Sequence, residues 1–311
     1  MFIYILAIVL AVLLLAVVAA SFYFYRLAIA RTDKSFLSGN PDLRSNEETP
    51  VTEALDWLDQ QPLEQVSLRS DDGLLLQGYY LAAPAPSRQT VILVHGYSGH
   101  AKQNAAFAKF YREQLGFSVL LPDNRGHGRS EGGVIGFGWL DRKDQLRWID
   151  YVLQRSGPQT ELLLHGVSMG GATVLMTSGE TLPTQAKAII SDCAYTSVRE
   201  QLAYQLKRIY RLPAFPLLGS TSLLARLLAG YSFAEASAVK QVRQAKVPIL
   251  FIHGTGDTFV PFDMVHTLYE NCSSEKALFI VPEAGHGLSY RVDPASYRQA
   301  VQQFIGKYMT L

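Results

Sequence analysis

Three residue types far apart in this chain could together break an acyl bond: a serine, an aspartate and a histidine. Ser168 stands in Gly166-Val167-Ser168-Met169-Gly170, a G-x-S-x-G pattern. A serine hydroxyl is a poor nucleophile near neutral pH. It needs a base to take its proton, and that base needs a partner to hold its tautomer. For a serine on a strand-to-helix turn, the partners follow in the order acid, then histidine, on loops after later strands. Asp257 follows the apolar run Ile249-Leu250-Phe251-Ile252. His286 lies in Pro282-Glu283-Ala284-Gly285-His286-Gly287, just after Ala277-Leu278-Phe279-Ile280-Val281. Glycines beside His286 leave room for the ring to move between the serine and a leaving group. Each residue alone has a plainer reading: a tight turn, an aspartate in a Gly-rich turn, a loop histidine. Order and strand-end placement together favour catalysis.

An oxyanion needs two backbone N–H donors. One is that of Met169, next to the serine. The other is assigned to Tyr97, in the loop His95-Gly96-Tyr97-Ser98-Gly99-His100. The Tyr97 side chain either reaches the oxyanion or packs structurally. Asp192 is a rival acid, and Asp257 fits the usual position better. His127 precedes the serine, the wrong order for the base, and reads as structural. His165 and His253 read as strand-end histidines satisfied by hydrogen bonds, and His95 as shaping the oxyanion loop.

These groups need a scaffold. Glu161-Leu162-Leu163-Leu164-His165 reads as a buried strand, and Gly171 to Met176 as the start of a close-packed helix. Val66–Arg69 and Leu74–Tyr80 flank Asp71-Asp72-Gly73 as a β-hairpin. After it, apolar strands alternate with helices. The strands are Val91–Val94, Ser118–Leu121, Ala188–Ile190, Ile249–Ile252 and Ala277–Val281. The helices are Asn104–Gln114, Asp144–Gln154 and Pro294–Tyr308. That alternation means a mostly parallel α/β sheet with helices on both faces and an antiparallel hairpin at one edge. Between Ile190 and Ile249 lies an interruption with helices expected over Ser197–Tyr210 and Leu223–Ala229. It reads as a helical cap, about residues 195–245, above the strands' carboxyl ends. Its leucines either line an acyl pocket, touch a membrane, or only pack the cap down.

Phe2 to Tyr25 is an unbroken apolar run. As a helix it extends roughly 36 Å, enough to cross a bilayer of about 30 Å. Phe22 to Tyr25 form an aromatic collar, and Arg26, Arg31, Lys34 and Arg44 follow. A cleaved signal peptide is the competing reading, with Val18-Ala19-Ala20 as cleavage site. A run this long with no basic residue before it favours an uncleaved anchor. The basic flank predicts a single-pass protein of the cell membrane with its globular part in the cytoplasm. The expected division is an anchor over 1–26, a stalk and short helix (Pro50–Gln61) over 27–61, and the main domain over 62–311.

The chain has 311 residues and a net charge of +1. That charge gives no reason to expect a nucleic-acid partner. Cys193 and Cys272 are expected to be free thiols. The seven histidines show no metal-ligand spacing, so no metal is expected. Oligomeric state is not legible.

With these parts in place, the chain resembles the α/β-hydrolase superfamily. More narrowly, it resembles the membrane-anchored bacterial members grouped with serine aminopeptidase-like and lysophospholipase-like hydrolases. The resemblance runs from about Val66 to the C-terminus. It rests on His95 to Gly99, Asp123-Asn124-Arg125-Gly126-His127-Gly128-Arg129-Ser130, the Ser168 turn, and the Asp257 and His286 loops. It implies a Ser-Asp-His hydrolase working through an acyl-enzyme, with no cofactor. The expected activity is a carboxylesterase on a small acyl-ester or lipid-like substrate. A peptidase, with Glu200 or Glu235 holding a substrate amine, and a non-catalytic membrane-tethered binding module are the alternatives.

Overall fold

The computed structural model describes residues 1–34, 37, 40–43 and 49–310. β1 (Glu64–Arg69) and β2 (Leu75–Leu81) pair antiparallel around the turn at Gly73, which takes φ +89°. The later apolar runs become β3 (Gln89–Val94), β4 (Ser118–Pro122), β5 (Glu161–Val167), β6 (Ala186–Asp192), β7 (Ile249–Gly254) and β8 (Lys276–Val281). Their order across the sheet is β1-β2-β4-β3-β5-β6-β7-β8. β2 also pairs antiparallel with β4, and every neighbour beyond is parallel. The hairpin therefore lies at one edge, as its sequence position implied.

The helices, in order, are α1 (Phe2–Phe24), α2 (Thr49–Asp59), α3 (Ala105–Lys109), α4 (Asp141–Ser156), α5 (Met169–Ser178) and α6 (Val198–Tyr210). α7 (Leu217–Leu228), α8 (Ala238–Val242), α9 (Asp263–Asn271), α10 (Ser289–Val292) and α11 (Pro294–Ile305) complete them. Alternate residues of each central strand point to opposite faces. Ile92, Leu164, Ile189 and Phe251 join one core with α4, α5, α8 and α9. Val91, Leu163, Ile190 and Leu250 join a second with α2, α3 and α11. Both faces are apolar, so the strands read as continuous hydrophobic runs.

Several elements differ from expectation: α4 begins earlier, at Asp141, α11 ends earlier, at Ile305, and α8, α9 and α10 were not expected. The helix expected over Asn104–Gln114 is broken into a 3-10 turn (Ala101–Asn104), α3, and a π turn (Phe110–Gln114). The wider π turn lets the adjacent Phe110 and Tyr111 both be buried. The second cap helix starts at Leu217, ahead of the expected Leu223, because Pro216 serves as its N-cap and Gly219 is absorbed on an exposed face. The helix expected over Pro50–Gln61 is α2, Thr49–Asp59.

α1 continues through a π turn (Tyr25–Ile29) and is long and apolar enough to cross a membrane. Much of the polar stretch expected as a stalk, including 44–48, lies outside the described residues. At its start that segment is not a free tether. Ile29 is fully buried, and its carbonyl accepts from the Ile135 N–H at 2.7 Å. Ala30 bridges Val134, and the Arg31 guanidinium donates to the Ser130 and Gly128 carbonyls.

Candidate active site

Ser168 sits between β5 and α5 with φ 58° and ψ −118°. A side chain in that region is strained, and the surrounding glycines supply the room. A Cβ on Gly166 would stand 2.1 Å from the Gly170 carbonyl oxygen, and one on Gly170 only 2.0 Å from the Val94 carbonyl oxygen. The pattern thus records how tightly the turn is folded against β3. From the next strand, the Asp192 carbonyl accepts the Ser168 N–H at 2.8 Å.

The loops after β7 and β8 are laced together. The Thr255 N–H donates to the Val281 carbonyl, and the Gly256 N–H to the Ala284 carbonyl, both at 3.0 Å. A Cβ on Gly254 would meet the Ala284 oxygen at 2.1 Å, so β7 ends in glycine for want of space. This lacing brings Asp257 to His286. His286 Nδ1 donates to Asp257 Oδ2 at 2.8 Å, and His286 Nε2 lies 2.7 Å from Ser168 Oγ. With its proton on Nδ1, the ring presents a free lone pair to the serine hydroxyl. The structure therefore brings together the three side chains singled out in the sequence.

Asp257 is fully engaged. Its Oδ1 accepts the Phe259 and Val260 N–H groups at 2.9 and 2.8 Å. Its Oδ2 also receives His253 Nε2 at 3.1 Å. Burial alone would raise this carboxyl's pKa. The His286 charge and the hydrogen bonds from His253 and His286 outweigh that and hold it well below the usual carboxylate range. His253 is more than a satisfied strand-end histidine: it braces the acid, a role its sequence position does not reveal. Asp192, the rival, faces elsewhere. Its carboxylate accepts from the Tyr297 hydroxyl (3.1 Å) and the Ser289 hydroxyl (3.3 Å). Burial pushes it up to about 6 against the pull of His253 and Tyr297. Cys193 is a buried free thiol close to Asp257 and His286, and Cys272 is likewise free. Burial and the Asp192 charge push the Cys193 thiol up, which keeps it protonated and a poor rival to the serine.

The N–H groups of Tyr97 and Met169 have no hydrogen-bond partner among the described residues. The loop carrying Tyr97 is close to the serine, since a Cβ on Gly96 would stand 3.4 Å from Ser168 Cβ. Two histidines hold it. His95 Nδ1 donates to the Gly96 carbonyl (2.8 Å), while its Nε2 accepts the Asn124 N–H (3.0 Å). His127 Nδ1 donates to the Arg125 carbonyl (2.9 Å), while its Nε2 accepts the Ser98 N–H (3.3 Å). The Tyr97 hydroxyl does not turn to the serine. It donates to the Ala28 carbonyl at 2.9 Å.

His165 lies deeper, with Tyr111 Oη at 2.9 Å from Nδ1 and Tyr297 Oη at 3.1 Å from Nε2. Its partners are distant in sequence, not local to the strand end. Burial lowers its pKa to about 3. A base with a depressed folded pKa stabilises the fold above its unfolded pKa, and that stability is lost as pH falls toward the folded value. Between pH 7 and pH 4 the wild type should lose about 3 kcal/mol more stability than His165→Gln, which does not titrate. Urea unfolding at pH 7, 5.5 and 4 reads this directly, and parallel pH dependence of the two proteins would refute it.

An apolar cavity leads away from Ser168 and Met169. Its walls include Leu202 and Leu206 of α6, Leu218 of α7, Phe137, Phe233 and Phe259. It also takes in Phe24, Leu27 and Ala28 at the end of α1. Sequence reading placed Phe24 in an aromatic collar at a membrane interface and Leu27 and Ala28 at the start of the stalk, none of them at the site. Glu200 bonds to the Thr196 hydroxyl, and Glu235 accepts the Ser232 N–H at 2.7 Å. Neither lines the cavity.

The sequence pattern of the serine aminopeptidase S33 family matches residues 85–222 and 207–291. The chain belongs to that family. Among its relatives is YqkD of Bacillus subtilis (strain 168), 31% identical over 233 residues, 75% of this chain and 76% of that one. The lysophosphatidylserine lipase ABHD12 of Danio rerio is 27% identical over 197 residues, 62% of this chain and 49% of its own. Among solved structures, the esterase Pf2001 of Pyrococcus furiosus aligns with a TM-score of 0.66 at 20% identity, covering 87% of this chain and 99% of that one. At that identity the likeness is one of fold, and the chain has the α/β-hydrolase fold of this hydrolase family.

Proposed function

We propose that the protein is a serine hydrolase that cleaves carboxylic esters through an acyl-enzyme on Ser168. The observation that carries this reading is the 2.7 Å approach of His286 Nε2 to Ser168 Oγ, with Asp257 2.8 Å behind the ring. Ser168 attacks the acyl carbonyl while His286 takes its proton. Asp257 orients the imidazole and stabilises its charged form. The N–H groups of Tyr97 and Met169 hold the oxyanion. His286 then protonates the leaving alcohol, and next draws a proton from the water that releases the acid.

The ester preference rests on the cavity. Its walls are almost wholly apolar, and among the described lining residues none is acidic. A peptidase of the aminopeptidase type needs a carboxylate for the substrate's ammonium group, and the two cap glutamates are engaged elsewhere. A lipid-like acyl ester suits the site, in keeping with the lipase name of one relative. We further propose residues 1–26 as a single-pass anchor and 62–311 as the catalytic domain, with a cap over about 195–245. The basic residues after α1 favour a cytoplasmic domain.

Esters of p-nitrophenol with graded acyl chains, set against aminoacyl-p-nitroanilides, test the choice of substrate. Each methylene that enters the cavity should raise kcat/KM about fourfold. Preference for the anilides over every ester would overturn the esterase reading.

A further inference from the structure

The cavity beside Ser168 runs between α1 and α7. Phe24 and Leu27 stand on one side, Leu217, Leu218 and Thr221 on the other. α7 packs along α1, and the Ser21 hydroxyl donates to Ser220 Oγ at 2.7 Å. Ser21 precedes Arg26 by five residues, which places it about 7.5 Å further along the helix, inside the apolar run. The Tyr210 ring, at the end of α6, meets Phe24 edge-on with centroids 5.1 Å apart. The cap's outermost turn is thus fixed beside the part of α1 that meets the headgroup boundary.

The outer side of this turn and of α7 carries uncovered apolar side chains, with the exposed Arg211 and Arg226 beside them. Phe215 is 86% exposed, Leu227 71% and Leu223 59%. None of the three lines the cavity. Clustered apolar exposure of this kind marks an interaction surface. Here it continues the exposed apolar surface of α1, so one medium fits both.

We infer that the α6–α7 turn is a second membrane-inserted element, and that the cavity receives its substrate from the hydrocarbon of the same leaflet. The partner of this surface is the lipid bilayer. The substrate class is a bilayer-resident acyl ester, whose chain slides between α1 and α7 toward Ser168 without crossing water. This inference rests on the acyl-hydrolase reading and on α1 lying in a membrane.

The full chain in phosphatidylcholine vesicles tests it in two ways. The first needs no activity. Phe215→Cys and Leu223→Cys, each labelled with an environment-sensitive nitrobenzoxadiazole dye, should be quenched about twofold or more by lipids brominated along the acyl chain. The same dye at Ser87→Cys, exposed on the loop before β3, should not be. Cys193 and Cys272 are buried, so the new thiol takes the label. No lipid quenching at 215 and 223 would overturn the inference. So would shielding that depends on protein concentration, which would give the surface to a second copy of the chain.

The second arm is kinetic. The double variant Leu223→Asp/Leu227→Asp should cleave a monoolein ester embedded in vesicles about tenfold more slowly or worse, while cleaving p-nitrophenyl butyrate at the wild-type rate. Equal rates on embedded ester for variant and wild type would overturn the inference. If the wild type cleaves neither ester, the hydrolase reading fails, and the quenching result still decides the surface.

Discussion

Ser168→Ala should lower kcat for p-nitrophenyl butyrate by about 10⁵- to 10⁶-fold, the scale seen when serine hydrolases lose their nucleophile. The substitution deletes one oxygen. The Cβ that occupies the strained φ 58° position remains, and so does the Ser168 N–H bond to the Asp192 carbonyl. The variant should therefore fold, with a thermal midpoint near that of the wild type. Labelling by a fluorophosphonate should vanish with the activity. A folded Ser168→Ala protein that retains more than about a tenth of the rate would remove the nucleophile from this account.

Asp257→Asn should lower kcat by about 10⁴-fold, as loss of the acid does in serine proteases. The reason is tautomeric. Asparagine can turn its amide N–H toward His286 Nδ1, which moves the ring proton to Nε2 and leaves no lone pair facing Ser168 Oγ. His253 would face the same change, since it also donates to Asp257 Oδ2. Asp192→Asn is the matched control. Its carboxylate serves Tyr297 and Ser289, and an asparagine oxygen can accept from either hydroxyl. Activity should stay within about tenfold of wild type. If the two losses came out in the opposite order, Asp192 would replace Asp257 as the acid. Steady-state kinetics on circular-dichroism-matched samples decides between them.

The site was legible in the sequence wherever a local constraint left its mark. Gly166 and Gly170 are glycines because neighbouring carbonyls leave no room for a Cβ. Gly254 and Gly256 are small because the Asp257 and His286 loops touch. Such packing writes itself into short patterns, so Ser168, Asp257 and His286 could be picked out and ordered. The sheet was legible because strands covered on both faces are apolar throughout. What stayed hidden depends on pairings far apart in the chain. Ser21 meets Ser220, 199 residues away, and no periodicity encodes it. His165 is likewise held by Tyr111 and Tyr297, 54 and 132 residues away, whereas the bond of His253 to Asp257 spans only four residues and was missed because it depends on how the turn after β7 folds back. The start of α7 was obscured by Pro213, Pro216 and Gly219, which local rules read as helix breakers.

The first thirty-four residues are more than a mooring line. Tyr97 hangs its hydroxyl on Ala28, Ile29 is sunk into the body, and Phe24 and Leu27 form one wall of the cavity beside Ser168. Removing residues 1–34, a common route to a soluble fragment, would leave that cavity with a side missing and the Tyr97 loop unpropped. On the proposed reading, the helix that anchors the protein is also masonry of the candidate site, so height and tilt above the lipid would be built in, and the domain would not swivel freely on its root.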